Sequence, residues 1–343
     1  MLEKLFQKGK DFLGVRYPII CGAMTWVSDF ELVKSVADNG AFPVLAGGNM
    51  PPEIFEATVD RCIAEIKTPF AVNLITIAPN YRLHYDILLR KDVPFVVFAA
   101  NFPKRPDVEN MRKAGKRTMA FASTRSIADQ MIRFGVDALI LEGSEAGGHI
   151  GHTSLTILLQ QVLFEKRDFP VFVGGGLATG KMMAHLLLMG AFGCQFGTIF
   201  AASEESTAHP NFKQAFIRAR ARQAVATPEY DSRLHVVAVR AIKNKGMDTF
   251  GRLQLDLIQR LDRGEINHEQ AQFEVENYWV GTLRKAVQDG DVDNGSLMAG
   301  QSVGLVDEIK PMKAIIGGLV RDCEEEIKRV HQIIHAFDKP AVH

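Results

Sequence analysis

The sequence carries no excess of either charge: in its 343 residues, 40 Lys and Arg stand against 40 Asp and Glu. The whole-chain positive field on which non-specific nucleic-acid binding depends is missing, so nucleic acid is not an expected partner. Cysteine is scarce. Cys21, Cys62, Cys194 and Cys323 lie far apart with no CxxC pair, which argues against a disulfide scaffold, a zinc ribbon or a cysteine-ligated iron–sulfur cluster. No metal site is expected, and any redox chemistry falls to a bound organic cofactor. No apolar run approaches the roughly 18–20 residues of a membrane helix, and Met1–Gly14 reads as a charged amphipathic stretch rather than a signal peptide. The expectation is a cytoplasmic protein with no membrane partner. Low-complexity tracts and Pro/Gly/Ser linkers are absent too. What remains, 47% apolar and 23% charged residues, is ordinary globular material with enough apolar surface for a sizeable core.

Short β-rich runs recur along the first 200 residues: Tyr17–Cys21, Phe42–Ala46, Phe70–Leu74, Phe95–Ala99, Thr118–Ala122, Ala138–Leu141, Val171–Val173 and Gly193–Phe196. Each interval leaves room for one helix and two short loops. The segments between them carry helical period, with Leu32, Val33 and Val36 on one face of Asp29–Asn39, and Ile127, Met131 and Phe134 on one face of Ser126–Phe134. Lys181–Met189 is rich in Leu and Met. Eight such units, with strands apolar on both faces, predict a parallel (β/α)8 TIM barrel in preference to an open doubly wound sheet. After Phe200 the pattern changes. His209–Lys245 holds eight Lys and Arg against two acids, Arg252–Leu283 reads as helical and charged, and Gly290-Asp-Val-Asp-Asn-Gly295 breaks it. The prediction is an inserted helical subdomain over 209–295, with 1–208 and 296–343 forming the barrel. A last amphipathic helix from Lys313 to His335, apolar at Ile315, Ile316, Leu319 and Val320, closes the wall.

In a barrel of this kind, functional residues sit where strands end and loops begin. The seventh run ends in Gly174, Gly175 and Gly176 before a helix near Thr179, and the eighth in Gln195-Phe-Gly197-Thr198. Both offer backbone N–H groups to a phosphate, at the loops where this fold usually binds one; the plainer reading is tight turns. The sixth run leads into Glu142-Gly-Ser-Glu-Ala-Gly147-Gly148-His149, a glycine-flanked loop that would hold an imidazole over the barrel mouth. His149 is the acid–base candidate, because histidine titrates near neutrality, whereas His152 reads as solvated or packing. Ala23 and Met24, after the first run, leave space for a flat ring, and Asn73 offers a side-chain amide. Core filler and a buried turn-former are the alternatives there. Cys21 has no adjacent base and reads as a small buried hydrophobe.

The motifs Tyr17-Pro-Ile-Ile-Cys-Gly-Ala-Met24, Glu142–His149, Gly174–Gly176, Gln195–Thr198, Ala208-His-Pro210 and Gly290–Gln301, in this order, resemble a family of FMN-dependent (β/α)8 enzymes. It includes nitronate monooxygenases, formerly 2-nitropropane dioxygenases, and flavin-dependent enoyl-acyl-carrier-protein reductases. The resemblance implies an FMN phosphate against Gly175, Gly176, Gly197 and Thr198, with Gly174 a further cofactor-binding residue. It implies a flavin ring near Ala23, Met24 and Gly148, with Gly147 also cofactor-binding, polar contacts from Asn73 and Gln195, and His149 in the position of the catalytic histidine. Val239-Arg-Ala-Ile-Lys-Asn244 and Ser296–Gln301 look more like the reductases, whereas Cys21 and Ala23 stand where the reductases usually have Gln and Gly. The leading expectation is an enoyl thioester reductase with NAD(P)H as co-substrate, His149 donating or orienting the α-proton. The alternative is oxidation of alkyl nitronates with oxygen, and a third reading is a barrel that binds a phosphorylated ligand without redox turnover. The basic stretch His209–Lys245 is a candidate dock for an acidic carrier protein or its pantetheine phosphate, set against a solvated helix face. A homodimer is the candidate assembly.

Overall fold

The computed structural model describes the chain with the exception of residues 49, 101, 166–167, 232–233, 235–237 and 338–343. Its elements run α1 (Leu2–Leu13), β1 (Ile19–Cys21), α2 (Phe30–Asp38), β2 (Phe42–Ala46), α3 (Pro52–Glu65), β3 (Ala71–Ile75), α4 (Tyr81–Arg90), β4 (Phe95–Ala99), α5 (Arg105–Lys113), β5 (Arg117–Ala122), α6 (Arg125–Phe134) and β6 (Ala138–Glu142). Then follow β7 (Gly148–His149), α7 (Leu155–Leu158), β8 (Val171–Gly174), α8 (Gly180–Leu188), β9 (Gly193–Phe196), α9 (Thr198–Ala201), α10 (Pro210–Arg218), β10 (Ala224–Ala226), β11 (Val239–Ile242), α11 (Lys245–Asp262), α12 (His268–Gln288) and α13 (Met312–Phe337). All eight apolar runs are strands. They pair in parallel in the order β1-β2-β3-β4-β5-β6-β8-β9, and β9 closes on β1 with Ile20 opposite Gln195, which makes a (β/α)8 barrel.

Period-2 alternation sorts the strand residues between two cores. Ile20, Phe42, Val44, Ala71, Phe95, Val97, Met119, Ala138, Ile140 and Phe172 fill the barrel, and Leu13 and Phe12 at the end of α1 pack against them. Intervening positions such as Val72, Val96, Leu139, Leu141 and Cys194 face the helices. One further step along each strand places Gly22, Asn73, Ala99, Phe121, Glu142 and Gln195 at the upper rim of the interior. Helix starts follow their caps: Asp29 accepts from Leu32 N–H at 3.1 Å, Thr124 from Ile127 at 3.2 Å and Thr179 from Met182 at 3.3 Å. α13 packs against α8, with Ile315, Ile316, Leu319 and Cys323 buried.

Residues 209–295 are not helical throughout. α10 packs Phe212 and Phe216 into the main core, and β10 and β11 form an antiparallel hairpin whose β11 edge pairs with β7. The helical stretch read as Arg252–Leu283 is two helices. Gly264, at φ 67°, ends the first turn after α11, and Asn267 caps α12 in a reciprocal box with Gln270. α11 and α12 then build a separate small core from Val239, Phe250, Leu257, Ala271, Val275 and Trp279.

Candidate active site

The rim side chains open into a cavity of about 340 Å³ at the carboxyl end of the barrel. Ala23, Met24, Asn73, Gly147, Gly148, His149, Gly175, Gly176, Gln195, Gly197 and Thr198 all line it. Gly174 does not. It lies in β8 beside Gln195, where a Cβ would stand 3.2 Å from that of Gln195, and Gly22, just past β1 on the other side of β9, leaves room for the amide end of the same side chain. The Gln195 side chain therefore spreads across both glycines at the cavity floor. Asn73 donates to the Val97 carbonyl at 3.4 Å.

The loop after β6 is shaped from both ends. Glu145 accepts the Leu155 N–H that opens α7, at 3.1 Å, and the Glu145 carbonyl accepts Gln301 N–H at 2.9 Å. Gly147 approaches Ala299 and Gly300 so closely that a Cβ would fall 2.5 Å from their backbone. Gly148 takes φ 77°, a conformation that favours glycine. His149 then pairs with Val239 of β11, and Ile150 N–H donates to the Ala238 carbonyl at 2.9 Å. Arg240, opposite Gly148, donates its Nε to the Ser144 carbonyl at 3.0 Å and Nη1 to the Ala224 carbonyl at 2.6 Å. The hairpin thus holds the loop that presents the imidazole.

Opposite lies an amide-rich rim. Gly175 and Gly176 adopt φ 85° and 73°, and Gly197 and Thr198 follow β9. The Thr198 hydroxyl accepts Gly300 N–H at 3.2 Å, which brings Ala299, Gly300 and Ser302 of the late segment to the same wall. Met24 N–H donates to Ser28 Oγ at 3.0 Å, and that hydroxyl donates to the Gly22 carbonyl, so the first loop folds back on itself beneath Met24.

Among the described residues, Glu142 and His149 are the only acidic or basic side chains lining the cavity. Burial lowers the His149 pKa from its ordinary 6.5, which keeps the imidazole neutral at neutral pH. Burial raises the Glu142 carboxyl from 4.5 to about 8, so it is mostly protonated there. In the sequence Glu142 stands only as the first residue of the motif Glu142–His149. Its signal was the alternation that puts every second β6 residue inside, after Ala138 and Ile140. Phe98, Phe121, Ser123 and Met298 also line the cavity and carried no separate signal in the sequence. His152 is exposed, and Cys21 is buried with its thiol pKa pushed up by desolvation.

Of the eight cations in the basic stretch, Lys213 and Arg240 turn inward. Lys213 Nζ donates to the carbonyls of Ser203, Glu204 and Ser206 at 2.9–3.3 Å. Arg218, Arg220, Arg222, Lys243 and Lys245 are exposed, and Arg233 lies outside the described residues.

The barrel with a glycine-lined cavity at its carboxyl mouth defines the class: an α/β-barrel enzyme with a site for a flat, phosphate-bearing cofactor. The nitronate monooxygenase family model matches residues 7–82 and 75–322, and the chain belongs to that family. It is an FMN-dependent oxidoreductase. Across 96% of this chain and 98% of the other, it is 31% identical to FabK from Thermotoga maritima, with a TM-score of 0.82. Nitroalkane oxidase from Streptomyces ansochromogenes is 25% identical, with a TM-score of 0.77 over 94% of this chain and 99% of that one. A Rhodococcus jostii protein, (3aS,4S,5R,7aS)-5-hydroxy-7a-methyl-1-oxo-octahydro-1H-indene-4-carboxyl-CoA dehydrogenase, is 27% identical over 93% of this chain and 95% of its own. No helix among the described residues is long and apolar enough to cross a membrane.

Proposed function

We propose that the protein oxidises alkyl nitronates, with oxygen as the final acceptor of the electrons. Of the two chemistries that the sequence suggested, the family model and the nitroalkane oxidase likeness weigh toward this one rather than toward enoyl reduction. The observation that carries it is the neutral imidazole of His149, which lines the cavity and is held there by the β7–β11 pairing. A neutral imidazole serves as a base toward the acidic α-carbon of a nitroalkane and offers an N–H to a nitronate oxygen.

The residues present fit FMN. The glycines at 175, 176 and 197, with Thr198 and Ser302, offer amides and a hydroxyl for the phosphate, while Ala23, Met24 and Gly148 leave space for a ring and Asn73 and Gln195 offer amides to its edge. When bound, FMN supplies the two-electron chemistry that no side chain here can perform. The protein's own part is to orient the substrate over that ring, to exclude bulk water with Phe98, Phe121 and Phe212, and to handle the proton at His149.

The second reading, reduction of an enoyl thioester with NAD(P)H, draws on the acyl-CoA name of the Rhodococcus relative. It also draws on the reductase-like Val239–Asn244 and Ser296–Gln301. One experiment separates them: the visible spectrum of the purified holoenzyme is followed without oxygen after adding either propyl-2-nitronate or NADH. Bleaching by the nitronate, with recovery in air, supports the proposal. Bleaching by NADH alone, with recovery on adding an enoyl thioester, overturns it in favour of the second reading.

A further inference from the structure

Glu142 ends β6 at the inner rim of the barrel, in register with Gly174 of β8. Its side chain lines the cavity and keeps part of its surface open there. Among the described residues it makes no hydrogen bond and no ion pair. A buried polar group is costly unless it has a partner, and a carboxyl facing a ligand cavity finds its partner in the ligand. The same wall lacks compensation of another kind, for no Lys or Arg among the described residues lines the cavity. A nitronate nevertheless carries a full negative charge, and a reduced flavin that ionises gathers charge on its pyrimidine edge. With no Lys or Arg lining the cavity among the described residues, a protonated carboxyl in the same cavity as His149 is the strongest side-chain donor it offers.

We propose that Glu142 is a ligand-binding residue of the site, a protonated carboxyl that donates a hydrogen bond to a negatively charged acceptor atom of the nitronate or of the reduced flavin. This rests on the reading of the cavity as an FMN redox site. The role differs from that of His149: Glu142 supplies a hydrogen bond that must persist while charge is present, not a base. Removal from bulk water is the one cause that raises its pKa, to about 8. The titratable groups around it are few. On its own loop stand Glu145, engaged by the Leu155 amide, and His149; from β11 comes Arg240, engaged by the Ser144 and Ala224 carbonyls. β8 and the residues just past β5 and β8 present Gly174, Ser123 and Gly175, none of which titrates.

The test uses the holoenzyme and nitrite, an anion with two oxygens on nitrogen like the head of a nitronate. Nitrite affinity is read from perturbation of the visible flavin band between pH 7 and 9.5, and the FMN midpoint potential is measured over the same range. If only the protonated form binds, the apparent Kd for nitrite in the wild type weakens by about 30-fold across this range, as the protonated fraction falls. Glu142→Gln, which keeps a neutral donor, binds nitrite within a few-fold of the wild-type value at pH 7 and shows no such decline. That pair of results assigns the hydrogen bond to the substrate anion. A flat nitrite affinity, with a bend in the wild-type potential near pH 8 that Glu142→Gln removes, assigns it to the flavin. If neither quantity bends in the wild type, the proposal is overturned, and that outcome needs no variant to fold. Neither measurement needs turnover, so a holoenzyme that leaves nitronates untouched sinks the proposed function while this result stands or falls separately.

Discussion

At the scale of the residue, the proposed chemistry rests on two side chains, His149 and Glu142, that burial keeps neutral. His149→Ala is expected to lower turnover by about 100-fold or more while leaving FMN content unchanged, measured by steady-state kinetics beside the flavin-to-protein ratio. Retention of activity within a few-fold of wild type removes His149 from its role. The same desolvation makes folding pH-dependent. The Glu142 carboxyl titrates at about 8 in the folded chain against an ordinary 4.5, so between these values the native state holds a proton that the unfolded chain has released. Stability of the cofactor-free protein therefore declines as pH rises from about 4.5 to about 8. Glu142→Gln removes that slope, which denaturant melts at several pH values will show. His149 acts with the opposite sign: its pKa is lowered from 6.5, so its contribution is lost as pH falls below that value.

At the scale of the element, the active loop is held by a hairpin that comes from a distant part of the chain. Arg240 sits in β11 opposite Gly148, and its guanidinium reaches back to the Ser144 carbonyl at the start of the same loop. Arg240→Met is expected to lower kcat by about tenfold with little change in FMN binding, and Arg240→Lys, with one ammonium for a two-pronged guanidinium, to recover part of it. Equal loss of kcat and of FMN would mean general unfolding of the loop instead. On the outer wall, Glu326 of α13 joins His185 of α8 at 2.7 Å and Arg329 at 2.6 Å. Hydrogen bonding to Arg329 first, and to His185, holds its carboxyl down at about 2. Its stabilising contribution is present above the ordinary 4.5 and is lost as pH falls towards about 2. Glu326→Gln lowers the melting temperature at pH 7 and flattens its acid limb, with activity per folded molecule unchanged.

At the scale of the whole molecule, one interior core and one outer core carry the barrel, while the α11–α12 unit has a small core of its own and is tied to the rest through β11, α10 and the late segment. A ligand that bridges the β8 and β9 loops, the first loop and the late segment couples these parts. FMN at about 100 times its Kd is expected to stabilise the fold by about 2.7 kcal/mol over the cofactor-free chain, read from paired denaturation curves. The exposed Arg218 and Arg222 belong to the second functional reading alone. If a carrier-linked thioester is a substrate, Arg218→Glu with Arg222→Glu raises its KM and leaves flavin content intact.

The sequence by itself determined the barrel, because strands buried on both faces must be apolar throughout, and eight such runs at a steady spacing admit few architectures. It also marked part of the cavity wall, since glycines and polar residues at strand ends are local features of the chain. Three things were decided only by tertiary structure. β7, β10 and β11 are too short to carry a periodic signal, and the pairing of β7 with β11 depends on chain closure across some 90 residues. Gly174 reads in the sequence like Gly175 and Gly176, and only the fold sets it in β8 beside Gln195 while the other two line the cavity. Glu142 reads as an ordinary carboxylate in any linear context, and only its enclosure at the barrel mouth, away from bulk water, makes it a neutral acid.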